Sequence, residues 1–112
     1  MRTETAWGVL VFAGVLETAW AVGLKYTDGF TRLWPTIWTV AAMIASMLLL
    51  AQAVRVIPVG TGYAVWTGIG AAGTAVIGMA LMGESRALLR VACIGLIVIG
   101  VLGLRFASGE AR

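Results

Sequence analysis

The sequence predicts an all-α membrane protein, with four transmembrane helices per chain and no soluble domain. Three observations carry this. Of 112 residues, 61% are hydrophobic and only 12% charged, where an ordinary soluble domain has ~25% charged, and the mean hydropathy is +0.99. The apolar residues gather into four runs, each long enough for a helix across a bilayer core of ~30 Å. The polar stretches between them are too short to fold separately. A helix satisfies its own backbone hydrogen bonds, as lipid demands. Residues 1–112 therefore read as a single integral membrane domain, with helices over about 6–24, 33–54, 59–82 and 88–104.

The first run, Trp7 to Leu24, contains one ionisable residue, Glu17. At ~1.5 Å per residue it extends roughly 27 Å, enough for one span. Glu17 interrupts it too deeply for a cleaved leader. A polar turn, Lys25 to Arg32, leads to the second run, Leu33 to Val54, which opens on Trp34 and Pro35. Tryptophan suits the membrane interface, and proline in a first helical turn removes no needed hydrogen bond. Arg55 and Pro58 break the chain before the third run, Val59 to Met82. Six glycines there invite close helix packing, and the Gly68–Ile69–Gly70 step invites a hinge. After Gly83–Arg86 the fourth run, Leu88 to Leu104, carries Gly95, Gly100 and Gly103 as a packing seam, within the chain or between chains.

Net charge is +3, from eight basic and five acidic residues. The basic residues stand singly at the ends of apolar runs and form no patch, so no nucleic-acid partner is expected and the lipid bilayer is the surrounding partner. With one cysteine, Cys93, and no histidine, neither an internal disulfide nor a Cys/His metal site is available. No cofactor is expected, and composition excludes a soluble enzyme. Four spans put both termini on one side. That side collects Arg2, Arg55, Arg105 and Arg112; the other collects Lys25, Arg32, Arg86 and Arg90. Orientation follows an excess of Lys and Arg in cytoplasmic loops, and here there is none. Either a partner or a distal charge sets the orientation, or the chain inserts both ways and pairs with an inverted copy as an antiparallel, dual-topology homodimer.

A carboxylate in hydrocarbon is costly, so an acid there faces protein or water and marks an ion or proton pathway by default. On a helix, residues three or four apart share a face. Gly14, Glu17, Trp20 and Ala21 thus line one side of the first helix, and Tyr63, Trp66 and Gly70 one side of the third. The second helix offers Ser46 near its middle. Around one cavity these would surround a carboxylate with hydroxyl and indole donors and aromatic walls. The plainer alternatives are packing for Trp20 and Trp66, an interfacial anchor for Tyr63, and a bond to its own helix backbone for Ser46.

Two stretches, L-E-T-A-W-A-V-G-L-K-Y-T-D-G-F-T-R-L-W-P and I-P-V-G-T-G-Y-A-V-W-T-G-I-G-A-A-G-T, resemble the small multidrug resistance family. The resemblance covers essentially the whole chain. It implies a four-helix transporter of the bacterial cytoplasmic (inner) membrane, multi-pass, working as an antiparallel homodimer. The tryptophan three residues after the acid, and W-T-G-I-G-A-x-G in the third helix, resemble the guanidinium exporter subtype. The resemblance assigns the central acid to Glu17 and its hydrogen-bonding partners to Trp20 and Ser46. It assigns the third-helix aromatics to Tyr63 and Trp66, and the glycine one turn before the acid to Gly14. It implies proton-coupled antiport, with protons and guanidinium or a related small organic cation competing for Glu17. Thr18 and Ala19 stand where bulkier aliphatics are usual, Gly62 where alanine is, and Gly83–Glu84–Ser85 where a lysine and proline are frequent, which would loosen the pocket. The competing expectations are a broader exporter of quaternary ammonium or polyaromatic cations, and a non-transporting subunit or assembly factor.

Overall fold

The computed structural model describes residues 1–111, with side chains through Ala107; Arg112, counted above on the terminal side, lies outside the described residues. Four helices follow one another: α1 (Thr3–Tyr26), α2 (Leu33–Ala53), α3 (Val59–Leu81) and α4 (Leu88–Ala111). All four are long and apolar enough to cross a membrane. α1 and α4 run past their apolar cores into charged ends, because backbone hydrogen bonding continues where hydropathy stops.

The connections are tight. Between α1 and α2, the buried Thr27 hydroxyl donates to the Leu24 carbonyl (2.8 Å) and accepts from the Phe30 N–H (3.2 Å). That bracket holds Asp28, Gly29 and Phe30 at φ of 50°, 72° and 67°, a left-handed turn that glycine enters freely and phenylalanine does not. Pro35 falls in the first turn of α2, among N–H groups that have no helical partner anyway. Gly83, at φ 70°, turns the chain out of α3. The Arg86 guanidinium then donates twice to the Met79 carbonyl (3.2 and 2.9 Å), satisfying one of the free carbonyls at that helix end.

The helices form a thin slab, 44 × 35 × 17 Å, in the order α2–α1–α3–α4. α1 packs against both α2 and α3, whereas α4 lies against α3. The core is the α1–α2–α3 junction at the end bearing the termini: Trp7, Leu10, Ala13, Ala53, Ile57, Val65 and Trp66. At its edge the Arg105 guanidinium sits 4.9 Å over the Trp7 ring, a cation–π contact linking α4 to α1. α4 docks where Gly68 admits Val101. Among the described residues, nothing stands within 4 Å of where a Cβ would lie at its own Gly95, Gly100 and Gly103. Leu96, Ile99, Leu102 and Phe106 are exposed, so lipid or another chain must cover that face.

Candidate functional site

The site is built along the seam of α1 and α3, where side chains of one helix enter glycine notches of the other. Ile69 fills the space over Gly14; a Cβ there would lie 2.7 Å from its Cγ2. The Glu17 carboxylate is seated directly over Gly70, and Thr18 over Gly73; a side chain at either glycine would overlap its occupant. The Thr18 hydroxyl shares its proton between the carbonyls of Gly14 (3.3 Å) and Gly70 (3.4 Å). Thr18, read from sequence only as a departure, is thus the side chain that ties the backbone under Glu17 to α1. A lone hydroxyl beside an acid, facing a glycine-rich helix, was the available signal.

Glu17 is half-buried, and its Oε1 has no hydrogen-bond partner among the described residues. Unpaired buried polar atoms are uncommon enough to call for an explanation. One turn on, Trp20 packs against the core cluster, and its buried indole N–H is also unpaired. A cavity of about 360 Å³ opens from Glu17 between the helices. Ala21 lines it from α1, and Thr67, Gly70, Ala71, Thr74 and Ala75 from α3. This stripe repeats every three to four residues, one helical face of small and hydroxyl side chains. The Thr74 hydroxyl is buried and unpaired. Glu84 and Arg90 line the far end of the cavity. Sequence spacing had singled out neither.

Ser46 and Trp66 form a separate, completed unit. Ser46 is fully buried; its hydroxyl donates to the Ala13 carbonyl of α1 (2.7 Å) and accepts from the Trp66 indole N–H (2.9 Å). Three helices are joined by these two bonds. Ser46 therefore binds neither its own helix backbone nor Glu17. Tyr63 stacks on Trp66 at 5.6 Å between ring centroids, tilted 48°, and is 58% exposed. Gly68 and Gly70 lie in unbroken helix and face different neighbours, Val101 of α4 and Glu17 of α1. Gly62 faces the Val54 side chain, 2.6 Å from where a Cβ would stand, so its missing side chain serves the α2–α3 connection instead of widening the cavity.

The arrangement presents one acid with an unspent acceptor, one indole with an unspent donor, and a cavity with hydroxyls along one wall. It suits a compact cation or a proton. A family model described as Small Multidrug Resistance protein matches residues 5–97. The chain is 57% identical over 103 residues to a protein of Yersinia pseudotuberculosis named guanidinium exporter, covering 92% of this chain and 99% of that one. The Escherichia coli K12 protein of the same name is also 57% identical, with 92% and 98% covered. That of Salmonella typhimurium is 56% identical over the same shares. With its four apolar spans, the chain is a multi-pass protein of the bacterial cytoplasmic membrane and belongs to the Small Multidrug Resistance family.

Proposed function

We propose that this protein exports guanidinium cations across the cytoplasmic membrane by proton-coupled antiport, as an antiparallel homodimer. The observation that carries the reading is Glu17: a carboxylate over Gly70, its Oε1 unpaired, opening on a cavity inside the spans. Identity to relatives named guanidinium exporter supports the cargo.

An ionised carboxylate without donors, shielded from water, is costly. A proton relieves that cost, and so does a bound cation. If the two compete for one acid, release of the cation outward is exchanged for a proton inward. Guanidinium suits the exchange because it is planar, weakly hydrated and forked, so it pairs with both oxygens of a carboxylate and tolerates aromatic faces. Trp20 supplies the donor that steadies the ionised acid once the cation has left. Ser46 acts through Trp66, holding the indole on which Tyr63 stacks and so bracing the seam beside the cavity-lining stretch of α3. The Gly68–Gly70 step serves as the hinge of α3.

The dimer reading draws support from the balanced charge tally and from the uncovered glycine face of α4. A thin slab of four helices encloses no pathway alone, and an inverted twin would complete it. Alternating access is then the rocking of one subunit against the other between two equivalent states.

The test is uptake by purified protein in proteoliposomes under an imposed pH gradient, with guanidinium and a tetraalkylammonium ion side by side. Saturable, gradient-driven guanidinium uptake well above that of the bulkier ion is expected. Equal or preferred uptake of the tetraalkylammonium would make the protein a broad cation exporter. Uptake of neither would make it a non-transporting subunit.

A further inference from the structure

α3 carries two glycines eight residues apart that each seat a carboxylate, and both of those acids line the cavity. Over Gly70 the acid is Glu17; over Gly78 it is Glu84, from the connection to α4. A Cβ at either glycine would overlap the acid above it. At ~1.5 Å rise per residue the seats stand about 12 Å apart along the helix. Thr74, with its buried and unpaired hydroxyl, lines the cavity between them. The Glu84 backbone fixes the outer seat by donating its N–H to the Gly78 carbonyl (3.1 Å).

What occupies Glu84 is informative. Its Oε1 accepts from Nη2 of Arg90 at 2.5 Å, and both side chains are partly open to solvent, 42% and 37%. The pair therefore lies at the open, loop-side end of the cavity. Arg86 is not a rival for the position, since its guanidinium is spent on the Met79 carbonyl. The group at Glu84 is a guanidinium, chemically the head of the cargo, held on a tether. Solvent-exposed pairs of this kind are weak and exchange readily.

We propose that Glu84 is an outer cation subsite on the route to Glu17, and that Arg90 holds the place of the arriving guanidinium until the cargo displaces it. This inference rests on the guanidinium export reading. The cation would pair first with Glu84, pass the Thr74 and Thr67 hydroxyls, and reach Glu17. Arg90 then acts as an internal competitor. It keeps the outer acid paired between cycles and screens it from compact inorganic cations that pair less well with a carboxylate fork.

Opposite signs distinguish a subsite from an anchor. Guanidinium uptake kinetics are measured in proteoliposomes for wild type, Glu84→Gln, Arg90→Gln and the double variant. Glu84→Gln is expected to raise KM about fivefold and Arg90→Gln to lower it by a few fold, the scale of an exposed ion pair. The gain from Arg90→Gln should vanish in the double variant, because the acid it unmasks is gone. Two results would overturn the proposal. In one, both single variants raise KM together, as loss of a structural pair would. In the other, the Arg90→Gln gain persists undiminished without Glu84, as a through-space charge effect would. Glu84→Asp, which keeps the charge, is expected to retain most of the wild-type KM and guards against misfolding of the neutral variant. Absence of guanidinium uptake by the wild-type protein would instead sink the function on which the inference stands.

Discussion

The two ends of the α1–α3 seam contrast sharply. Toward the termini, Leu10, Ala13, Val65 and Trp66 are buried, and the polar groups among them are spoken for: Ser46 takes the Trp66 N–H and gives its proton to Ala13. Toward the loops, Glu17 and Thr74 each keep a buried polar atom unpaired beside a cavity, and Trp20, one turn from Glu17, keeps its buried N–H unpaired among the described residues. Satisfied buried networks rigidify, whereas unsatisfied groups are held at a cost and await a partner. On the proposed function, one end of the seam holds the helices together, and the other is left incomplete for the cargo. Substitutions at the closed end should therefore lower stability more than transport, and those at the open end the reverse.

The largest expected effect is at Glu17. Glu17→Gln keeps the shape and removes the charge, so gradient-driven guanidinium uptake should fall to the level of empty vesicles while thermal unfolding in detergent changes little. Retained uptake would place the exchange elsewhere. Gly70→Ala comes next. Alanine is the better helix former by about 1 kcal/mol, so helix propensity alone favours the variant. The new methyl, however, overlaps the Glu17 carboxylate and must push it off its seat. Uptake should drop about tenfold or more for a displacement worth ~1–3 kcal/mol, with α-helical circular dichroism intact. Unchanged uptake would mean the carboxylate has no need of that seat.

Glu17 was legible in the sequence because one acid in an apolar run breaks a physical rule visible without coordinates. So were the four spans, whose lengths follow from bilayer thickness. The partner of Ser46 was not legible. Helical phase puts Ser46 on one face of α2 and Trp66 on one face of α3, but which faces meet depends on how α1 wedges between them. Gly62 shows the same limit: a missing side chain signals close approach, not what approaches, and here it is Val54. Glu84 was hidden because a loop residue has no periodicity, and only the fold brings it back over Gly78.

At the closed end the order of effects follows from which group is left unpaired. Ser46→Ala strands the buried Trp66 N–H and should cost ~1–3 kcal/mol of stability. Trp66→Phe leaves the Ser46 proton on Ala13 and should cost about 1 kcal/mol through its hydrogen bond, along with some packing. Unfolding of both variants in detergent, set against their uptake rates, checks whether stability falls further than transport. If Ser46→Ala instead abolished uptake while unfolding normally, the serine would belong to the transport end and the division between the two ends would fail.

The smallest effect tests the boundary between the two ends, at Thr18. Its hydroxyl is buried, yet its proton is divided between two carbonyls at 3.3 and 3.4 Å, distances at which a hydrogen bond contributes little. Thr18→Val keeps the branched shape that fills the notch over Gly73, where the hydroxyl oxygen stands closest, and removes only its hydrogen bonding. Both Gly14 and Gly70 lie within helices, so neither carbonyl depends on this proton alone. The expected loss is below about 1 kcal/mol, with uptake within about twofold of wild type. The residue sits between a seat that must hold Glu17 and a seam that must hold α1, so the direction of any excess is diagnostic. A stability loss larger than that of Ser46→Ala would extend the closed end past the acid. A transport loss approaching that of Gly70→Ala would make the Thr18 bond to the Gly70 carbonyl part of what positions the carboxylate.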